Sequence, residues 1–298
     1  MQKKVLVLGS TGLIGHQVYF FLENNGGYEL YNFAYRKKLQ KDTKIIDARN
    51  EEIFLKNIIE ISPDYIINCL GVLIEGANSD PENAIFLNAY LPHTLAKLAD
   101  KINAKLIHIS TDCVFSGDKI SKYIETDFKD GKDIYAKTKG LGEVIHPNHL
   151  TLRTSVVGPE LKSNGEELFH WFMSQSGNIS GYTKSIWSGV TTIELAKAVE
   201  SAIRLDIKGL YHVTNNSSIT KYDLLNLFKK YMKKDIKINA VDGKESDKSF
   251  IDTRELLDYQ IPSYDQMISE MATLIYSNKS LYNQYQILDD ELNNYSFK

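Results

Sequence analysis

The chain has 298 residues, 43% of them hydrophobic and 24% charged, an ordinary globular balance that excludes global disorder and fits one large α/β unit or two domains. Thirty-five basic residues against 38 acidic ones, a formal charge of −3, give no global electrostatic case for nucleic acid or an anionic membrane, and the longest strongly apolar stretch, residues 65–74, falls well short of the ~20 residues that span a bilayer. Two cysteines, Cys69 and Cys113, both in apolar stretches, make neither a disulfide framework nor a metal-ligand set, so reduced thiols, no metal and a cytoplasmic setting are expected.

Taken in chain order, Val5-Leu-Val-Leu8 is a short apolar run ending at Gly9, as a buried parallel strand would. Lys3-Lys4 ahead of it superficially resembles a secretory leader, but three evenly spaced glycines follow and no small-residue cleavage site does. A helix to about Asn24 comes next, then strands at 29–34 and 44–47, a helix at 51–60 and an apolar strand at 64–69. Asp80-Pro81 pairs an N-cap with proline at the first helical position, and the helix it opens runs toward Asp100 with a kink or break expected at Pro92. A strand at 105–109, a helix at 134–143 and a strand at 149–153 complete the first half. Strands alternating with helices imply right-handed crossovers and a parallel sheet, whose ligands bind outside the carboxyl ends of the strands.

The second half reads as an aromatic-rich helix at 167–175, a capping box at Thr191-Thr-Ile-Glu194 opening a helix to about Arg204, and a strand at 209–213. An amphipathic helix at 220–231 and a last helix at 264–277 follow. The Tyr/Asn-rich end, 278–298, is expected to be ordered in part by docking. His146 and His149 flank a turn without a partner pattern and read as structural.

Gly9-Ser-Thr-Gly12-Leu-Ile-Gly15 sits between the first strand and first helix. There glycine permits a tight turn, close approach of backbone to a pyrophosphate, and close packing of helix on strand, while the helix N-terminus offers N–H groups to phosphate. The spacing is GxxGxxG rather than the usual GxGxxG. The second strand runs into Tyr35-Arg36-Lys37-Lys38, with no acid for a ribose hydroxyl. Arg36 and Lys37 therefore favour NADP(H) over NAD(H), the bland alternative being a solvated basic turn. Asp47-Ala48 follows the third strand and either hydrogen-bonds the adenine or is an ordinary turn.

Tyr135 and Lys139 form YxxxK on a helix, where i and i+4 share a face. An ammonium beside a phenol stabilises phenolate, so the tyrosine exchanges a proton with a carbonyl oxygen while hydride moves. Ser110-Thr111-Asp112, just after the strand at 105–109, places a hydroxyl where a carbonyl could be oriented; the alternative is an ST-turn.

These residues resemble the extended short-chain dehydrogenase/reductase superfamily and, within it, the dTDP-4-dehydrorhamnose reductases and their sugar-nucleotide-reductase relatives. The resemblance is carried in family order by Val7-Leu-Gly-Ser-Thr-Gly-Leu-Ile-Gly15, Asp64-Tyr-Ile-Ile-Asn68, Leu87-Asn88-Ala89, His108-Ile-Ser-Thr-Asp-Cys-Val-Phe-Ser-Gly117, Tyr123-Ile-Glu125, Tyr135-Ala-Lys-Thr-Lys139, Leu152-Arg-Thr-Ser155 and Gly209-Leu-Tyr-His212. It implies a Rossmann-type doubly wound parallel sheet formed by residues 1–157 and 189–213, with 158–188 and 214–298 as a smaller, discontinuous α/β sugar-nucleotide domain. It implies Thr111, Tyr135 and Lys139 as the catalytic triad, Tyr135 protonating the C4 oxygen and Lys139 also holding the nicotinamide ribose. Gly9, Thr11, Gly12, Leu13, Ile14 and Gly15 would line the cofactor phosphates, and Asn68, Leu70 and Gly71 would border the cofactor, with Asn88 supporting the site. Cys113, Val114 and Phe115 would lie on the substrate side. Arg153 is also a family position, read either as a structural partner of Asp112 or a backbone carbonyl or as a ligand contact.

The departures are Cys113 where these reductases usually carry Tyr, Val190-Thr191 for Pro-Thr, and the segment 158–187, which should read the sugar through Lys184 and Trp187 or else be aromatic core. The implied activity is reduction of the 4-keto group of a nucleotide-linked 6-deoxyhexose for surface polysaccharide precursors. A sugar-nucleotide 4-epimerase with tightly bound NAD and a non-catalytic cofactor-binding regulatory subunit are the alternatives. Monomer and homodimer both stay open.

Overall fold

A computed structural model describes residues 2–285 of the chain. The first half contains β1 (Lys3–Leu8), α1 (Gly15–Asn25), β2 (Tyr28–Ala34), β3 (Lys44–Ile45), α2 (Glu51–Ile61), β4 (Tyr65–Asn68), α3 (Ile74–Ser79), α4 (Pro81–Ala84), α5 (Leu91–Lys101), β5 (Lys105–Thr111), α6 (Ile134–Leu141) and β6 (Leu150–Thr154). The second half adds β7 (Val156–Val157), α7 (Leu168–Ser174), β8 (Gly177–Tyr182), β9 (Ser185–Trp187), β10 (Val190–Thr191), α8 (Thr192–Leu205), β11 (Gly209–His212), β12 (Ile219–Thr220), α9 (Lys221–Tyr231), β13 (Ile236–Val241), β14 (Ser246–Asp247) and α10 (Tyr264–Ser277).

Seven strands form one sheet in the order β11-β6-β5-β4-β1-β2-β3, every neighbouring pair parallel. After β1 the chain moves outward through β2 and β3, then returns to add β4 on the other side of β1. This reversal opens a crevice at the carboxyl ends of β1 and β4, the ligand position of a Rossmann-type, doubly wound fold. The pleat of β1 divides the interior. Val5 and Val7 face a core with α1 and α8, whereas Leu6 and Leu8 face a second core with α2 and α5.

The first core does not stop at the sheet. It continues through Trp187 and Phe169 and Phe172 of α7 into Leu224 and Phe228 of α9 and Met267 and Met271 of α10. The Phe228 ring lies 5.2 Å from that of Phe169 and 5.6 Å from that of Phe172. Replacing Phe228 by Ala is expected to cost ~3–5 kcal/mol through lost burial and the cavity left behind. Urea unfolding measures this, and a loss below ~1 kcal/mol would show that the cluster does not support the fold.

Where structure and sequence pattern differ, the cause is local. The helix opened by Asp80 and Pro81 continues to Lys101, with residues 85–90 wound as a π-helix ahead of Pro92. Pro92 has no N–H for the Asn88 carbonyl, and the wider turn absorbs that mismatch without a break. The Asn88 carbonyl instead lies against Gly142, where a Cβ would stand only 1.8 Å from it, and α6 ends at Leu141 rather than at residue 143. Only half of the expected capping box forms at Thr191. Its hydroxyl accepts from the Glu194 N–H at 3.4 Å, but the Glu194 carboxylate turns to Lys197 at 3.2 Å. A complete box opens α10 instead, from Ser263 and Gln266. The parallel pair β8·β13 and the small sheet β12-β9-β14 had no sequence reading, because strands of two to six residues with glycine and asparagine carry little alternation. Tyr282 and Tyr285 are buried, so the C-terminal segment docks up to that point; residues 286–298 lie outside the described region. Among the described residues, no helix is long and apolar enough to cross a membrane.

Candidate active site

The glycine loop lies across the crevice. The Gly9 and Ser10 N–H groups both donate to the Phe33 carbonyl of β2 at 3.0 Å, and Gly12 donates to Gly9 at 2.9 Å. Gly9 has φ +80°, and a Cβ there would sit 3.2 Å from the Cys69 carbonyl carbon. A Cβ on Gly15 would stand 2.2 Å from the Gly9 carbonyl oxygen, so α1 packs on the loop at a distance only glycine permits. No side chain caps α1, and its first turn holds no acid. Its N-terminal N–H groups and the half-buried Thr11, Gly12, Leu13 and Ile14 therefore fit a pyrophosphate. His16 braces the loop from behind. Its Nδ1–H donates to the Gly12 carbonyl at 2.7 Å, and its Nε2 accepts from the Tyr282 hydroxyl at 3.1 Å. Burial holds His16 down at about 4, so it stays neutral.

Past β2, Arg36 and Lys37 are exposed, and the Arg36 guanidinium lies 4.9 Å from the centre of the Tyr35 ring. Asp47, the predicted adenine contact, accepts hydrogen bonds from Arg49, whose Nη2 lies 2.7 Å from Asp47 and 2.8 Å from the Tyr35 hydroxyl. Ala48 is buried beside it. Arg49 joins this corner as a cation that the sequence reading did not single out, although its place two residues after Asp47 was visible.

The catalytic candidates converge at the carboxyl end of β5. Thr111 is its last residue. Asp133 caps α6, accepting from the Ala136 N–H at 2.8 Å, and the helix carries Tyr135 and Lys139 on one face. The Lys139 ammonium donates to the Ile109 carbonyl of β5 at 2.7 Å. Asn68 is buried, accepting from the Leu70 N–H at 3.1 Å and donating to His108 Nδ1 at 3.1 Å. Asn88 holds both backbone groups of Val72, at 3.0 and 3.1 Å, and reaches Thr138 at 3.3 Å. Gly71 packs closely between these residues, since a Cβ there would lie 3.0 Å from Asn88 Oδ1 and 4.0 Å from the Lys139 Nζ.

Burial pushes the Tyr135 phenol well above its usual range, the neighbouring Cys113 adds to this, and a hydrogen bond with the Thr111 hydroxyl opposes it. The phenol thus stands protonated. Burial lowers Lys139 to about 8, while the Glu143 carboxylate holds it up. Burial also raises Cys113 to about 12 and Cys69 to about 12, so both thiols are neutral.

Beyond Thr111 stand Asp112, Ser155 and Trp187. Thr111 donates to Asp112 Oδ1 at 3.2 Å. Burial raises the Asp112 carboxyl, against which Lys248, Thr111, Ser155 and Lys221 act. The Trp187 indole N–H donates to Ser155 Oγ at 2.9 Å, and its side chain is buried. Lys184 pairs with Asp242 at 2.9 Å, and none of its charge partners belongs to the triad. Val114 and Phe115 are fully buried with Tyr123 and Phe250, the Phe115 and Tyr123 rings stacked 4.1 Å apart. They back the Cys113 corner. Arg153 does not pair with Asp112; it forms a two-pronged pair with Glu143 and, as the structural reading allowed, its Nη1 also donates to a backbone carbonyl, that of Glu125, at 3.4 Å.

The reading of individual residues missed Glu143, Ser155, Asp112 as a carboxylate at the site, and Glu167. Glu167 is pushed up to about 7, chiefly by burial and then by Glu160 and Asp112. Only Glu143 left a legible trace, continuing the Tyr135, Lys139 spacing by four. At the opposite end of the strands, ligating atoms of Asp100, His146 and His149 gather within 4.8 Å of one another. His149 already uses both ring nitrogens, toward the Ala96 carbonyl at 3.1 Å and the Leu106 N–H at 3.3 Å, which makes it a structural residue.

Comparison with known proteins shows the family and the fold. Residues 3–252 match the family described as RmlD substrate binding domain. The chain is 28% identical over 229 residues to dTDP-4-dehydrorhamnose reductase of Escherichia coli K12, covering 74% of this chain and 75% of that one. It is 28% identical over 240 residues to methionine adenosyltransferase 2 subunit beta of Xenopus tropicalis, covering 74% and 70%. Among solved structures, dTDP-4-dehydrorhamnose reductase of Bacillus anthracis in complex with NADP superposes with a TM-score of 0.78 at 24% identity, over 91% of this chain and 99% of that one. UDP-N-acetylglucosamine 4-epimerase of Methanobrevibacter ruminantium superposes with a TM-score of 0.76 at 18% identity, over 92% and 98%.

Proposed function

Since the chain belongs to the RmlD substrate binding domain family, we propose that it is an NAD(P)-dependent oxidoreductase that reduces the 4-keto group of a nucleotide-linked 6-deoxyhexose in the cytoplasm. The observation that carries this reading is the convergence of Thr111, Tyr135 and Lys139 beside an uncapped glycine loop. The named reductases among the relatives support it. Residues 1–157 with 189–213 would hold the cofactor, and 158–188 with 214–298 the sugar nucleotide.

A bound reduced nicotinamide would supply the hydride. The chain does the rest. Thr111 orients the carbonyl oxygen, Tyr135 gives it a proton, and the Lys139 ammonium stabilises the phenolate left behind. Lys221 and Lys248, whose charges reach Asp112, suit the diphosphate better than Lys184 does. Turnover would be bounded on the alkaline side by Lys139. The cation is present below about 8 and lost above it, so kcat is expected to fall as pH rises through that value.

The test is NADPH oxidation over a panel of dTDP-, UDP-, GDP- and CDP-linked 4-keto sugars. No oxidation with any of them would remove the reductase reading and favour the non-catalytic role suggested by the subunit-beta relatives. Interconversion of 4-hydroxyl epimers without net oxidation would favour the epimerase reading.

We read the Arg36, Tyr35, Arg49 corner as the source of a preference for NADP(H). Removing both arginines (Arg36→Ala with Arg49→Ala) takes away the two cations that would make charge-assisted hydrogen bonds to a 2′-phosphate. The KM for NADPH is therefore expected to rise roughly ten- to a hundredfold, with that for NADH little changed. Equal effects on both cofactors would show that the corner does not read the 2′-phosphate.

A further inference from the structure

Glu143 lies just beyond α6, four residues after Lys139, and is buried. Three elements converge on its carboxylate. Oε1 accepts from Ser110 Oγ of β5 at 2.7 Å and from Arg153 Nε of β6 at 2.8 Å. Oε2 accepts from Arg153 Nη2 at 2.7 Å, and the Lys129 ammonium, on the loop leading to α6, stands 3.2 Å from it. Burial by itself would raise this carboxyl, but Arg153, Lys129 and Ser110 outweigh it and hold it below the usual range. The site therefore contains a fixed buried anion.

Beyond Arg153 and His212 stands a second carboxylate, Glu125, which burial would raise but Thr253 and then His212 hold below its usual range; the histidines and the thiol nearby are neutral. His212 of β11 accepts from Arg153 Nη1 at 2.7 Å and donates through Nδ1 to the Ile251 carbonyl at 2.9 Å, and burial with the adjacent Arg153 keeps it uncharged, at about 4. Around Lys139 itself stand Cys69 after β4 and His108 of β5. The thiol is raised by burial and the imidazole lowered by it, so neither supplies charge at neutral pH. Glu143 and Lys139 meet on adjacent residues of β5: the carboxylate accepts from Ser110 Oγ at 2.7 Å and the ammonium donates to the carbonyl of the preceding residue, Ile109, at 2.7 Å, and Glu143 is the carboxylate whose charge reaches the lysine.

We propose that Glu143, anchored by Arg153 and Ser110, is a positioning residue that keeps the Lys139 ammonium charged during turnover and fixes the end of β5 from which Thr111 projects. The inference rests on the reductase reading for its kinetic consequence only. Tyr135 loses its proton to the substrate, and the phenolate so formed needs a cation beside it. A desolvated lysine without a counter-charge gives up its proton near neutrality, and the tyrosine then loses that support. Ser110 precedes Thr111 directly, so the same carboxylate that charges the helix side of the triad also holds its strand side.

The test is Glu143→Gln, which keeps the shape and removes the charge. Because this leaves Arg153 buried without a counter-ion and risks misfolding, the double variant Glu143→Gln with Arg153→Met accompanies it. Two readouts are taken on whichever variant shows a cooperative thermal transition: the alkaline limb of kcat/KM, and the titration of Lys139 followed by NMR on protein carrying ε-13C-lysine. The expected result is a downward move of both by ~1 pH unit, giving about tenfold lower kcat/KM at pH 8.5 and near wild-type values at pH 6. A loss uniform across pH, or an unmoved Lys139 titration in a folded variant, would overturn the proposal. If the wild-type protein reduces no sugar nucleotide, the functional reading fails, and the NMR titration still decides the role of Glu143.

Discussion

Replacing Tyr135 by Phe removes one hydroxyl and lowers kcat by about 10²–10⁴-fold, the usual contribution of a positioned general acid, while NADPH binds as before. The expectation follows from where that hydroxyl sits. It meets the Thr111 hydroxyl, and burial with Cys113 beside it holds the phenol protonated far above neutral pH. A group so strongly held in its acid form is an effective proton donor only if something stabilises its anion when the proton leaves, and Lys139 is the cation one helical turn away. The ring itself is half-buried, and phenylalanine fills its space, so the fold is not at risk. The measurements are steady-state NADPH oxidation and NADPH fluorescence titration on the same preparation. A fall in kcat of less than tenfold, with binding intact, would mean that the carbonyl oxygen takes its proton from elsewhere, Asp112 and Glu167 being the next acids at the site.

Adding one methyl group at Gly15 is expected to weaken NADPH binding roughly 5- to 150-fold, from the ~1–3 kcal/mol that overpacking costs. The Cβ of alanine there would lie 2.2 Å from the Gly9 carbonyl oxygen and 2.8 Å from its carbon. Both are backbone atoms of the loop that would carry the phosphates, so relief comes only by moving that loop or backing α1 away from it. Gly26→Ala is the matched control. That glycine has φ +68° and ψ −174°, a conformation essentially only glycine takes, but nothing within 4 Å of its Cβ position, so the control costs ~1–3 kcal/mol of stability at the far end of α1 and keeps its cofactor affinity. If Gly15→Ala binds NADPH as tightly as the wild type, the glycine loop is not the phosphate cradle.

The parallel sheet and the position of the glycine loop were legible because their signals are local. Val5-Leu-Val-Leu8 running into Gly9 reads as a buried strand and turn without knowledge of any neighbour, and Tyr135 and Lys139 share a helical face by spacing alone. Arg153 shows the opposite case. Its sequence context allowed a contact with Asp112, a backbone carbonyl or a ligand, and the choice of Glu143 depends on β5 and β6 lying side by side with the chain after α6 folded against both. Lys184 and Trp187 were candidates for the same reason, a cation and an aromatic in a segment of unusual composition. Their separation, one toward Asp242 and the other toward Ser155, comes from the pairing of β9 with β12 and β14.

The sequence by itself determined the class of the fold, the loop fitted to a dinucleotide phosphate, and the hydroxyl, phenol and ammonium of the candidate triad, because each is written in residues close together along the chain. Only the tertiary structure decided which charges face one another. Glu143 against Lys139 and Arg153, Arg49 beside Tyr35, and Lys221 and Lys248 near Asp112 are brought together by packing, and the potential at a buried site is set by distance and dielectric rather than by order in the chain.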